Sequence, residues 1–254
     1  MPSGTLRTKE NHGAIPLYSP PYPSGVDEFS DIECLYVQYQ TKYDNVKDLV
    51  PEELELAQEP LVTLALYKYG MSPIGAYNEF VATVEVEYRG VKYPYTLELI
   101  LNNQAAIFSG REKYGIPKVL GKVVWDPSAM VAQPSGFISG HVERPEGSKL
   151  AELGFKPLRK VQKLGPLRSP PRASLHLRSI PSCNPGQPPA LREFVPAVFE
   201  VLEGEVWTGE PSVGLFNVSA FDPIHKLEVL RYVGATMIRH ASAILHPVKE
   251  TFPL

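Results

Sequence analysis

The arrangement of apolar and polar positions along the chain is mostly that of β structure. Leu35-Tyr36-Val37-Gln38-Tyr39 is a short β-branched and aromatic run and predicts a strand, and Leu61 to Tyr69 is a second apolar run closed by Gly70 and Pro73. From Phe80 to Tyr88 the pattern alternates, with Val84, Val86 and Tyr88 on one side and Glu85 and Glu87 on the other. Arg89-Gly90 marks a turn, and Val91 to Leu101 returns with Tyr93, Tyr95, Leu97, Leu99 and Leu101 in period two. These two segments predict a hairpin with one dry and one wetter face. Ala105 to Ser109 reads as a further small-residue strand, followed by strands at Lys122 to Trp125, Gly136 to Val142, Ala173 to Ile180 and Ala197 to Trp207. Tyr43 to Leu49 suggests one or two helical turns before Pro51. The segment after Leu227 fits either a helical stripe (Leu227, Leu230, Val233, Met237) or a strand (Val229, Arg231, Val233, Ala235).

Proline strengthens the β reading. It makes up 26 of 254 residues, and a residue without an amide donor leaves little room for long helices. Residues 1–25, rich in Pro, Gly, Ser and Tyr, read as an irregular N-terminal arm, and residues 26–254 show neither an internal repeat nor a linker. The pattern therefore predicts a mainly β (α+β) fold in one domain with few short helices.

Charge and composition exclude several classes. At 43% hydrophobic with a net charge of −3, the chain is too apolar for disorder and too near neutral for a typical nucleic-acid partner. No stretch approaches a membrane span, and Met1 to Gly13 lacks the apolar core of a secretory signal. Cys34 and Cys183, far apart, read as reduced thiols of a cytoplasmic protein, and the acceptor triplet Asn217-Val218-Ser219 as chance. Residues 156–178 carry Lys156, Arg159, Lys160, Lys163, Arg168, Arg172 and Arg178 without an acid, a pattern of either a solvated, proline-interrupted loop or an anion-attracting rim.

The six histidines show no metal-ligand spacing, and no P-loop, dinucleotide-binding or nucleophile-elbow motif occurs. One stretch stands apart, Gly110-Arg111-Glu112-Lys113-Tyr114-Gly115-Ile116-Pro117-Lys118-Val119-Leu120-Gly121. Lys118 follows a proline and sits among Ile116, Val119 and Leu120. A lysine is a nucleophile only when neutral, and an apolar pocket disfavours the ammonium, after which the amine attacks a carbonyl to form a Schiff base. The competing reading is an ordinary lysine whose amine snorkels to water.

Gly110-Arg111-Glu112-x-x-Gly115-Ile116-Pro117-Lys118 resembles the signature of the acetoacetate decarboxylase family, supported by Tyr39-Gln40-Thr41, Val50-Pro51-Glu52-x-Leu54, Gly75-Ala76-Tyr77-Asn78-Glu79, Trp207-Thr208-Gly209 and Leu215-Phe216. The resemblance implies a strongly curved antiparallel sheet closing into a cone or barrel around the lysine, with the C-terminal segment as strand. It implies Lys118 as the Schiff-base nucleophile, Glu79 as the facing proton-shuttling carboxylate, no metal or organic cofactor, a small-molecule carbonyl substrate and a homo-oligomer. Three positions depart from the family pattern: the second lysine is Val119, the substrate-facing arginine is Ile32, and a second glutamate is Ala65. Around the motif, Arg111 and Glu112 read as either substrate-positioning residues or a structural charge pair, and Tyr77, Phe108, Tyr114 and Ile116 as pocket lining or ordinary core. Glu98 is expected on the exposed face of its strand.

The expected function is thus Schiff-base lyase chemistry, most simply decarboxylation of a β-keto acid. The departures keep open aldolase-dehydratase or cyclase chemistry on a larger, less anionic, polyketide-like carbonyl compound, and a non-catalytic small-molecule-binding domain.

Overall fold

The computed structural model describes residues 1–8, 13–127, 136–167 and 171–254. In chain order the strands are β1 (Asp27–Gln40), β2 (Leu61–Met71), β3 (Tyr77–Tyr88), β4 (Val91–Leu101), β5 (Lys118–Leu120), β6 (Lys122–Val124), β7 (Ile138–Glu143), β8 (Lys149–Pro166), β9 (Ala173–Ile180), β10 (Leu191–Leu215), β11 (Arg231–Leu245) and β12 (Phe252–Pro253). Two α-helices accompany them, α1 (Tyr43–Val46) between β1 and β2 and α2 (Gln104–Tyr114) between β4 and β5.

All the strands form one sheet, and it closes on itself. The order β11-β1-β2-β3-β4-β9-β10 returns to β11 because β10 pairs both β9 and β11, and β8-β7-β6 continues outward from β10. The 25-residue β10 makes this possible by bending. It pairs β9 over Leu191–Val198, β11 over Phe199–Gly209 and β8 over Glu203–Leu215, with register shifts between Val201 and Gly209. Such bulges sharpen the local bend and twist of a strand.

Alternation then sorts side chains into two layers. On β2 and β3, Val62, Leu64, Leu66, Phe80, Ala82 and Val84 are fully buried and face away from the ring's interior. They form the main core with Trp125, Ile138, Val142, Leu150, Leu153 and Phe155, contributed by the β6–β8 extension that covers this outer face. Burial of each valine, leucine, isoleucine or phenylalanine among them stabilises the fold by roughly 1.5–3 kcal/mol. The intervening residues line the interior, which is where the wetter face of the β3–β4 hairpin turns.

Strands at Leu35–Tyr39, Leu61–Tyr69, Phe80–Tyr88, Val91–Leu101, Ala173–Ile180 and Ala197–Trp207 are present, and the ambiguous C-terminal segment is strand β11. Three expectations are corrected. Ala105–Ser109 is helix, not strand: the Asn103 side chain caps α2 by accepting from the Ala106 amide at 3.0 Å, Gly115 closes it at φ 68°, and the alanines are strong helix formers. Residues 156–166 belong to β8 rather than a solvated loop; Lys156 and Lys160 pair with Glu210 (3.6 Å) and Glu205 (2.6 Å) across the sheet, and Arg178 with Glu193 at 3.1 Å. Arg168 lies outside the described residues. Glu98 is buried, because a register shift between Thr96 and Glu98 passes over Leu97 and moves Glu98 onto the face that also carries Tyr95.

Candidate functional site

The ring interior is a cavity of about 570 Å³, within the range of sites that hold drug-sized ligands. Strand register arranges its walls in rungs. Thr63, Thr83 and Thr96 form one rung with Gln38; Tyr36, Ala65, Val81, Leu99 and Lys118 form the next; Tyr67, Glu79 and Leu101 form a third, followed by Tyr69 and Tyr77.

Lys118 enters this wall from a short strand with a heavily constrained backbone. β5 pairs in parallel with β4, setting Lys118 opposite Leu99. The Leu99 amide donates to Pro117 O at 3.3 Å, and the Arg111 guanidinium donates to Lys118 O at 3.2 Å. Proline at 117 leaves no amide to compete for that pairing. Gly115 makes the preceding turn: at its left-handed φ, a Cβ would also lie 2.5 Å from Arg178 Cβ. The lysine side chain is 9% exposed, and its Nζ stands 3.3 Å from Glu79 Oε2.

Glu79 is buried on the same inner face, held by β3 between β2 and β4. Burial pushes its carboxyl above the ordinary range, while the Lys118 charge and hydrogen bonds from Lys118 and Tyr69 oppose the shift. A proton placed between these two groups therefore moves over a short path out of bulk water.

Aromatic groups surround the pair. Tyr67 stacks on Tyr69 at 5.6 Å between ring centroids, Tyr69 packs on Tyr77 at 4.7 Å, and Phe29 and Phe199 close the same wall. The Tyr67 hydroxyl donates to the Tyr36 hydroxyl at 3.0 Å, and burial raises the phenol pKa of both well above its usual value. These rings therefore offer neutral O–H groups. His176, also buried on the wall, is held neutral by burial and the Lys118 charge, its pKa pushed down to about 3. Ser174 Oγ donates to Ala197 O and lies 3.3 Å from His176 Nε2, and His176 Nδ1 has no partner among the described residues.

Tyr77 and Ile116 lie on the cavity wall with Lys118 and Glu79. Arg111, Glu112, Tyr114 and Phe108 do not. Arg111 holds the lysine's own backbone, Glu112 accepts from the Tyr22 hydroxyl at 2.6 Å, Tyr114 donates to Asp27 at 3.2 Å, and Phe108 is exposed on α2. Arg111 and Glu112 thus take separate partners. Of the three departures, Ala65 lines the cavity, Ile32 is buried on the same inner face opposite Tyr69 but outside the cavity lining, and Val119 packs into the outer core, as alternation next to Lys118 requires. Tyr36, Tyr67, Tyr69, His176 and Phe199 were not singled out from sequence. The signal for the tyrosines was present: Ala65, Tyr67 and Tyr69 recur in period two along an apolar run whose other face is also apolar.

Among the described residues no group of three or more His, Cys, Asp or Glu is placed to hold a metal ion, and no helix is long and apolar enough to cross a membrane.

The family model described as Acetoacetate decarboxylase (ADC) matches residues 14–249. Decarboxylase DEC1 of Cochliobolus heterostrophus is 38% identical over 241 residues, covering 94% of each chain. An acetoacetate decarboxylase of Clostridium botulinum is 31% identical over 88% of each. Among solved structures, one of acetoacetate decarboxylase superposes with a TM-score of 0.78 at 28% identity over 95% of both chains. The fold also matches the enduracididine biosynthesis enzyme MppR, complexed with the condensation product of pyruvate and imidazole 4-carboxaldehyde, with a TM-score of 0.71 at 17% identity over 98% of this chain and 97% of that one.

Proposed function

The chain belongs to the acetoacetate decarboxylase family, and from that premise we propose that it decarboxylates a β-keto acid through a Schiff base on Lys118. The observation that carries the proposal is the buried Lys118–Glu79 pair, 3.3 Å apart on the wall of a cavity closed by the sheet.

Glu79 takes the proton that leaves Lys118 Nζ, and burial makes it a stronger base than a surface carboxylate. The neutral amine attacks the substrate's keto carbon to give a carbinolamine, and the same carboxyl returns a proton as water departs, leaving an iminium. The bond to the substrate carboxylate then breaks; carbon dioxide leaves, and the electron pair moves through the carbon–carbon bond onto the iminium nitrogen, giving an enamine. Glu79 takes up a proton from water and delivers it to the enamine carbon, which restores an iminium, and water then releases the ketone and the lysine. The apolar aromatic wall favours the step, because it lowers the charge carried by the substrate in a poorly solvating medium. The lysine itself is the electron sink, so the scheme uses no organic cofactor.

A second reading is favoured by one feature. Lys118 is the single cationic side chain on the inner rungs among the described residues, so no guanidinium meets a β-keto carboxylate there. In aldol or dehydration chemistry the iminium instead acidifies the α-carbon, and Glu79 removes that proton.

The test is reduction with borohydride in the presence of β-keto acids, simple ketones and enals. A mass gain mapped to Lys118 is expected, with carbon dioxide released from the β-keto acid. Adducts without carbon dioxide release point to the aldol reading, and no adduct with any carbonyl compound leaves a binding domain.

A further inference from the structure

The cavity has two charged ends and an uncharged middle. At its inner end stand Lys118 and Glu79. Six residues along β3, at the opposite end, stands Glu85, roughly 20 Å away at the rise of an extended strand. Between them the described wall residues carry no charge, with Val81, Thr83, Thr63, Thr96 and Gln38 along the path. A four-carbon β-keto acid held at Lys118 is far shorter than this path.

The rim carries charges of both signs. Glu85 accepts from Lys92 Nζ at 3.2 Å and from Arg172 Nη2 at 3.4 Å, so one carboxylate faces two cations. Arg172 also reaches Lys92 O at 3.4 Å, which hangs its guanidinium across the channel mouth, with its side chain 59% exposed. A guanidinium has five donors, and these contacts leave most of them to be shared with a ligand.

We propose that the mouth is a second subsite, and that the substrate is an elongated β-oxo acid whose uncharged chain runs along the β2–β3 wall and whose far end bears an anionic group held by Arg172. The assignment of the near end rests on the Lys118 reading; the far-end subsite stands on its own geometry. Glu85 limits the affinity for that anion by sharing the arginine.

The subsite is tested first by binding alone, with ω-hydroxydodecanoate and dodecanediol as probes, neither of which forms a Schiff base. In calorimetry with the full chain, the hydroxy acid is expected to bind roughly two- to fivefold tighter than the diol, the worth of a partly exposed charge contact. Arg172→Gln should erase that preference and Glu85→Gln should increase it. Equal binding of the two probes, or a preference that survives Arg172→Gln, overturns the proposal. A parallel measurement compares carbon dioxide release from acetoacetate and from β-oxododecanedioate. Arg172→Gln should raise KM for the long diacid and leave acetoacetate turnover and the acetone–borohydride adduct unchanged. Failure of the adduct in the unsubstituted protein would refute the Lys118 chemistry, while the binding preference would still decide the subsite.

Discussion

Gly110 lies directly beneath the Lys118 side chain: a Cβ placed on Gly110 would come 2.5 Å from Lys118 Cδ and 2.7 Å from its Cε. The glycine sits in α2 and the lysine on β5, so helix packing sets the path by which the amine reaches Glu79. Gly110→Ala should push the flexible lysine stem aside rather than the backbone, and alanine is the better helix former. The expected outcome is near-unchanged thermal stability with a large loss of activity. Misplacing a reacting atom by about 1 Å can cost on the order of a hundredfold. Melting and kcat/KM on the same preparation check this; equal activity would show that the lysine's path is not set by Gly110.

Separate substitutions of Lys118 and Glu79 should divide their roles. Lys118→Met removes the nucleophile, so borohydride-trapped adduct and turnover should both vanish, and the burial-raised Glu79 can take a proton in place of its lost partner. Glu79→Gln leaves the amine present and should still allow slow adduct formation while turnover falls by roughly a hundred- to ten-thousandfold, the usual worth of a placed acid–base. Adduct mass by peptide mapping and single-turnover kinetics distinguish the two; unchanged turnover in Glu79→Gln would assign proton transfer to another group.

The legibility of the molecule in its sequence follows its periodicity. Val84, Val86 and Tyr88 against Glu85 and Glu87 disclosed a two-faced strand, and the polar face proved to be the cavity wall because the sheet closes. Closure itself depends on β10 changing partners twice, a long-range pairing that no local pattern encodes. Ala105–Ser109 misled because small residues carry no alternation, while the Asn103 cap and Gly115 stop were the signals that mattered. Lys118 and Glu79 are legible as candidates only through a motif and its resemblance, and the sheet brings the two side chains together. Phe108 and Tyr114, close to that motif in sequence, do not line the cavity: Phe108 is exposed, and Tyr114 is buried with its hydroxyl on Asp27. His176 and Tyr36 reach the site from β9 and β1.

His176 should make the protein acid-sensitive. Its folded pKa is about 3, below the ordinary 6.5, so only the unfolded chain takes up a proton over that interval. Stability is therefore full above pH 6.5 and declines as pH falls toward 3. His176→Gln should flatten that part of the profile, measured by urea unfolding at several pH values. A wild-type-like slope in the variant would place the acid sensitivity elsewhere.

Glu98 should act in the opposite sense. Burial, then its hydrogen bond and proximity to Asp222, raise its carboxyl to about 9, with Arg144 opposing. Asp222 is in turn held by Arg144 and by the Ser219 hydroxyl, so Glu98 is the member of the cluster that keeps its proton and donates it. The folded state therefore binds more protons than the unfolded state between the ordinary carboxyl value, 4.5, and 9. Stability is greatest below that window and falls as pH rises through it, by up to a few kcal/mol, because each tenfold difference in proton affinity between the two states is worth about 1.4 kcal/mol. Glu98→Gln supplies a permanently neutral donor of similar shape to Asp222. At pH 5 the variant should match the wild type, and at about pH 8.5, near the top of that window, it should be the more stable of the two. Denaturant unfolding at both pH values measures the difference; a gap that does not widen with pH would mean that Glu98 is already ionised in the folded protein.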